Sequence, residues 1–187
     1  MTKEGFLIIL KGNNMNDIIE TIQYKDYQIE LCYDAYPDNP RTTWDNLAFM
    51  ACFHKRYDLG DKHNFKEPQD LLDWIEANKD TIYYLPLYIY EHGNITIKTS
   101  PFSCQWDSGQ VGFIYISKEN AEKNGIMKPY ELLEHEVKIY DYYIKGETYG
   151  AMIFYRDGEL IDSQFGYFGD TDEVINEAKG MIDHYNS

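Results

Sequence analysis

Two stretches of this chain turn back on themselves within a few residues, and they constrain the fold more than anything else in it. "YYLPLYIYEHGNITIKT" (83–99) places β-branched and aromatic runs on both sides of His92-Gly93-Asn94. "ETYGAMIFYRDGELIDSQFGYFG" (147–169) does the same around Arg156-Asp157-Gly158. Runs of this kind flanking a short Gly-containing turn predict β-hairpins. A hairpin makes its two strands antiparallel neighbours, which excludes the alternation of strand and helix that an all-parallel sheet requires.

The rest of the chain is read around these hairpins. "YQIELCY" (27–33) alternates and predicts a strand, and "VGFIYIS" (111–117) predicts another. "EPQDLLDWIEANK" (67–79) predicts an amphipathic helix with Pro in its first turn and acids early, where the helix dipole favours them. "KENAEKNG" predicts a short helix. "KPYELLEHEVKIYDYYIKG" (128–146) predicts a longer one with Leu132, Leu133, Val137, Tyr140 and Ile144 along one side. "DTDEVINEAKGMIDHY" predicts a closing helix capped by Asp170 or Thr171. The sum is an α+β fold: a single domain over 1–187, a mostly antiparallel sheet of five or six strands, and four or five helices. The first twenty residues are the least determined part.

"NPRTTWDNLAFMACFHKRYDLGDKH" (39–63) is the densest segment. Thr42 or Thr43 caps a helix over about 43–57 in this reading. The six consecutive apolar residues from Ala48 to Phe53 leave it no solvated face, so it is expected to be central and buried. Its polar groups then gather at the ends, with Asp45 and Asn46 at the start and His54, Lys55, Arg56 and Asp58 at the finish. From Arg41 to Lys66 there are five Lys/Arg against three Asp, a local charge of +2 on a chain whose remainder carries −17. Such an island suits a carboxylate, a phosphate or an acidic partner, and it also suits the protein's own acids. His54, Asp58, Asp61 and His63 have the chemistry of zinc or manganese ligands, but their spacing matches no metal motif, so no metal or other cofactor is expected.

"SPFSCQWDSGQ" (100–110) joins two strands with eleven residues where far fewer would serve, and long loops of this kind often carry function. Cys104, Trp106, Asp107, Ser108 and Gln110 supply a nucleophile, a stacking surface and polar anchors. A Cys nucleophile needs a His, and His54 or His92 would be that partner. The plainer reading is an ordered loop folded back on the sheet, with Phe102 and Trp106 over the core edge. "FGYFGD" (165–170) reads as a third loop, and if the loops 58–63, 100–110 and 165–170 cluster they form a pocket.

Composition narrows the classes. The formal charge of −15 makes free nucleic acid an unsuitable ligand, because phosphate binding runs on Lys and Arg. Three widely spaced cysteines, Cys32, Cys52 and Cys104, form neither a disulfide framework nor a Cys-x-x-Cys metal site. No apolar run approaches the roughly 18 residues of a membrane span, and the start "MTKEGFLIILKGNN" has too short an apolar patch for a signal peptide, so a cytoplasmic protein is expected.

"YPDNPRTTWDNLAFMACFHKRYDLGDKH" and "SPFSCQWDSGQVGFIYISKE" resemble a family of uncharacterised proteins from phages, prophages and plasmids, over about residues 30–170. The chain departs from the family pattern at Ala48 and Phe49, after "WDNL". No activity or catalytic residue comes with the resemblance. It implies a setting in the host cytoplasm in which small acidic accessory proteins are directed at host machinery, anti-CRISPR and anti-restriction proteins among them. The expectation is therefore an anti-defence protein that binds a host protein, a basic nucleic-acid-binding effector. The acids Glu131, Glu134, Glu136, Asp141 and Glu147 and the tyrosines of the 130–147 helix are contact candidates. Binding candidates across the chain are Arg56, Tyr57, Asp61, His63, Trp106, Gln110, Glu134 and Tyr142. The alternatives are a hydrolase, possibly a nuclease, with a site among Asp45, His54, Asp58, Cys104 and Asp107, and a non-catalytic phage housekeeping protein.

Overall fold

The computed structural model describes residues 17–104 and 106–186. The signal-peptide reading of the N-terminus lies outside them. The chain is α+β, with eight strands in two four-stranded antiparallel sheets and five helices among the described residues. It divides into two compact units, one of residues 39–145 and one of residues 17–38 and 146–186, each with its own sheet. The sheet content exceeds the five or six strands expected because Ile18–Tyr24, in the stretch the sequence determined least, is a strand, and so is Phe49–Cys52.

The first unit contains the helix α1 (Pro40–Thr43), the strand β3 (Phe49–Cys52), α2 (Pro68–Asn78), β4 (Ile82–His92), β5 (Asn94–Lys98), β6 (Ser108–Ser117), α3 (Lys118–Lys123) and α4 (Pro129–Lys145). Its sheet order is β3-β6-β4-β5. The hairpin at His92-Gly93-Asn94 forms as expected, with Ile89 opposite Ile97. Leu71 and Ile75 of α2 pack on Ala51, Ile82 and Phe113, with Phe49, Phe53, Trp74, Tyr84 and Tyr115 around them. The strand alternation puts Met50, Ile114 and Ile116 on the other face, and α4 lies against β4, β5 and β6 with Leu133, Val137, Tyr140 and Tyr143 buried.

The expected helix over 43–57 is not formed. Asn39 caps α1, its side chain accepting from the Arg41 N–H, and the helix ends at Thr43. The apolar run that followed is β3, paired with β6 from Phe49↔Tyr115 to Cys52↔Gly112. A short unbroken apolar run fits a strand covered on both faces as well as a buried helix, and the two are separated by length. Here Ala51 faces the α2 side and Met50 the other, both with no exposed surface.

The second unit has β1 (Ile18–Tyr24), β2 (Tyr27–Tyr33), β7 (Thr148–Tyr155), β8 (Leu160–Phe168) and α5 (Thr171–Tyr185). Its sheet order is β1-β2-β7-β8. Side chains two apart, Tyr27, Ile29 and Leu31 on β2 and Ala151 and Ile153 on β7, pack against Val174, Ala178 and Ile182 of α5. Those three helical positions recur at spacing four, as an amphipathic helix on a sheet requires. The Asp170 carboxylate caps α5, accepting from the N–H groups of Asp172 and Glu173. The stretch 165–170 read as a loop is mostly β8, and its last two residues are the connection and the helix cap. Glycines at 166 and 169 interrupt its alternation.

Candidate functional site

The polar ends of the "AFMACF" run lead to two different places in the first unit. One is buried. Arg41, with 1% of its side chain exposed, donates from Nε to Asp61 Oδ1 at 3.0 Å, from Nη2 to Asp61 Oδ2 at 2.6 Å and to the Ala48 carbonyl at 2.8 Å, and from Nη1 to Glu136 Oε2 at 2.7 Å. Asp61 Oδ2 also accepts from the Met50 N–H at 2.7 Å, and Glu136 Oε1 accepts from the Leu47 and Ala48 N–H groups, each at 3.1 Å. Burial opposes the Arg41 charge, but the hydrogen bonds and charges of Asp61 and then Glu136 outweigh it and hold the guanidinium above its ordinary pKa. Every arm of this cluster is occupied by the protein, so Asp61 and Glu136, read as contact residues, are structural. Asp141 is also turned inward: its Oδ1 accepts from Thr96 Oγ1 at 2.6 Å and from the Ile97 N–H at 2.8 Å, satisfying the outer edge of β5.

The other place is at the surface. His54 Nδ1 accepts from the N–H groups of Arg56 (3.3 Å) and Tyr57 (3.2 Å). The proton then belongs on Nε2, which lies 2.5 Å from Glu91 Oε1. Glu91 Oε1 is buried and makes no hydrogen bond of good geometry, its approach to His54 being one of charge and distance alone, while its Oε2 meets Arg56. The His54 and Tyr57 rings stack at 5.0 Å and 7°, with the Arg56 guanidinium 5.4 Å from the Tyr57 ring. His54 is thus held by the fold through Nδ1, with Nε2 beside the Glu91 carboxylate.

Glu91 connects this corner to the long loop. Its N–H donates to the Asp107 carbonyl at 2.8 Å. Beside it, His92 Nδ1 is 3.4 Å from Asp107 Oδ2, and the Cys104 thiol is 3.9 Å from the same oxygen. Phe102 folds back onto Tyr90, rings 5.5 Å apart, with the Lys98 ammonium 4.2 Å from the centre of the Phe102 ring. The expected fold-back of the loop therefore holds for Phe102 and not for Trp106, which is 96% exposed. Gln110 is exposed at the start of β6, its amide reaching the Gly112 carbonyl at 3.4 Å.

The structure brings His54, Arg56 and Tyr57 to Glu91, and Cys104 and Asp107 to His92, on adjacent residues of β4. It does not bring Asp45 or Asp58 to them by any hydrogen bond or ion pair among the described residues, and both are exposed. His63 is turned inward between Phe53 (4.7 Å) and Phe65 (5.7 Å), its Nε2 2.9 Å from the Cys52 carbonyl. Glu134 is exposed on α4, and Tyr142 carries Lys138 and Lys145 over its ring at 5.5 and 5.8 Å. Among the described residues no group of three or more His, Cys, Asp or Glu is placed to share a metal ion. No helix among them is long and apolar enough to cross a membrane.

The feature that reading the sequence linearly missed is the partition of charge. The described part of the second unit has fifteen Asp/Glu and three Lys/Arg, against sixteen and twelve in residues 39–145. Acids spread over 17–38 and 146–183 become one acidic body only once β2 pairs with β7. Asp17, Glu20, Asp26, Asp38, Asp157, Glu159, Asp170, Asp172, Glu173, Glu177 and Asp183 are all exposed. Of the three cations, Lys25 is held by Asp183 at 2.7 Å and Arg156 lies 3.8 Å from Asp26. The Asp183 carboxyl is held below its usual range by hydrogen bonds from Lys25 and Tyr24.

No protein-family model, curated protein or solved structure matches this chain. The resemblance to phage proteins rests on the two quoted motifs alone.

Proposed function

We propose that this protein is a non-catalytic accessory factor that binds a basic protein through its acidic second unit. In the mobile-element setting that the motif resemblance implies, the partner is a nucleic-acid-binding effector of host defence, such as a CRISPR nuclease. The observation that carries this reading is the fifteen-to-three excess of acids in one compact unit. A field of one sign over a whole unit steers a basic partner and competes with nucleic acid for its cations. Supporting it from the first unit, Arg41, Asp61, Glu136 and His54 are all engaged by the fold itself.

The test mixes the protein with purified CRISPR effectors and measures complex formation and guide-directed cleavage. Inhibition is expected at about 0.05 M salt and is largely lost near 0.5 M, where the Debye length shrinks to a few ångströms. A triple charge reversal on α5, Asp172→Lys with Glu173→Lys and Glu177→Lys, abolishes it at low salt. Absence of binding to any basic effector at low salt overturns the reading.

A hydrolytic reading has one arrangement behind it, Cys104 and His92 on either side of Asp107. Both groups approach the same Asp107 oxygen, and a carboxylate beside the thiol is the opposite of the electropositive surroundings in which activated thiols sit. Hydrolysis of a model ester or amide that disappears in Cys104→Ser would favour it.

A further inference from the structure

The edge strand β8 has the features of a docking site. It is last in the sheet order among the described residues, so alternate N–H and C=O groups along the outer side of 162–165 have no partner strand among them. Natural edge strands are blunted by Lys, Pro, brevity or bulges; β8 is nine residues long with neither Lys nor Pro, and its two bulges leave the stretch between them open. Its register with β7 skips Ile161 and Gly166, which leaves 162–165 as a regular run between two bulges. Leu160 is 51% exposed, Ile161 40% and Phe165 38%, so the strand keeps apolar surface open to solvent, with the Phe165 ring lying over Gly150 of β7. The Ser163 N–H is turned to its own neighbour, the Asp162 carboxylate, at 2.7 Å, a local stand-in for an acceptor on another strand.

Charge decides what such an edge accepts. Exposed acids stand at both ends of β8: Asp157 and Glu159 before it, Asp170, Asp172 and Glu173 after it. A second copy of this chain would bring two strongly acidic units side by side along the strand, and the repulsion disfavours it. An extended segment carrying Lys or Arg meets the opposite condition. We infer that β8 takes up an extended Lys/Arg-bearing segment of a partner protein as a fifth strand of the second unit's sheet. Backbone hydrogen bonds hold the segment, and the acids at the two ends choose it. This rests on the basic-partner reading above and specifies how the partner is held.

The test uses the full-length ¹⁵N-labelled protein and two synthetic peptides at low salt. One alternates Lys and Val; the other has the same sequence with alternate amides N-methylated, which keeps the charge and removes strand hydrogen bonds. The expected result is chemical-shift change concentrated at 162–165, with binding about tenfold or more weaker for the methylated peptide. Ser163→Lys, which puts a cation on the edge, weakens binding while leaving the spectrum of α5 unchanged. Equal binding of both peptides, or shifts confined to α5, overturns strand addition and leaves the basic-partner reading standing. Failure of both peptides to bind overturns the two together. Concentration-dependent dimerisation through 162–165 overturns the choice of occupant.

Discussion

The Arg41 guanidinium lies side-on to the Asp61 carboxylate, Nε to Oδ1 at 3.0 Å and Nη2 to Oδ2 at 2.6 Å, with almost none of the arginine exposed. Its third arm reaches Glu136, so one side chain ties α1, the turn after β3 and α4 together. Removing one partner of a buried pair strands the other charges, which costs about 3–5 kcal/mol. Arg41→Met is expected to lower the urea unfolding midpoint accordingly. Adding Asp61→Asn and Glu136→Gln to it should recover part of the loss, because the stranded charges are then gone. A single Arg41→Met variant within about 0.5 kcal/mol of wild type would show that the cluster is solvated.

The three thiols differ in environment. Burial, with Asp61 next, pushes the Cys52 thiol up to about 12, and burial pushes Cys32 up to about 11. Cys104 is partly exposed. Native protein at mildly alkaline pH is expected to react with iodoacetamide at Cys104 alone, and all three react in urea. The stability that follows has a definite sign. A thiol whose folded pKa is raised contributes fully below its unfolded value of 9.0 and loses that contribution as pH rises toward about 11 for Cys32 and about 12 for Cys52. Urea midpoints should therefore fall in the window above pH 9, and less steeply in Cys52→Ala.

His54 is a structural histidine by its hydrogen bonds, and substitution separates that role from catalysis. His54→Ala takes the Nδ1 acceptor from the Arg56 and Tyr57 N–H groups, at about 1 kcal/mol. His54→Asn keeps an acceptor near the Nδ1 position and should lose less, because an Asn side chain can bond the backbone two residues on. Thermal unfolding of the pair gives the order directly. Equal losses would show that the Nδ1 contacts contribute nothing.

Legibility in the sequence followed the range of the interactions. The hairpins at Gly93 and Gly158, the helices α2 to α5 and the Asp170 cap are set by residues within one turn of each other, and they stand where patterning put them. β3 was misread because "AFMACF" is equally a buried helix or a strand covered on two faces, and only β6 and α2, more than fifteen positions away, decide between them. The inward roles of Asp61 and Glu136 depend on Arg41, twenty and ninety-five positions distant, a pairing that no local signal encodes. The role of Glu91 likewise depends on His54 and Arg56, more than thirty positions away, and no local signal marks it.

Gly60 couples the backbone turn after β3 to the Arg41–Asp61 ion pair. Its φ is +71°, and a Cβ there would collide with the Met50 carbonyl. The left-handed backbone alone costs an L-residue about 1–2 kcal/mol. The same turn delivers Asp61, whose N–H donates to the Met50 carbonyl at 2.7 Å while its carboxylate takes the Met50 N–H. In Gly60→Ala, relief of the collision moves Asp61 away from both Met50 and Arg41, so the backbone strain and the loss of the buried ion pair arrive together. A double-mutant cycle with Arg41→Met should therefore be non-additive by more than about 0.5 kcal/mol, the second change costing less once the first has been made. Strict additivity would mean that the turn and the ion pair are independent, and that Asp61 keeps its place by other contacts.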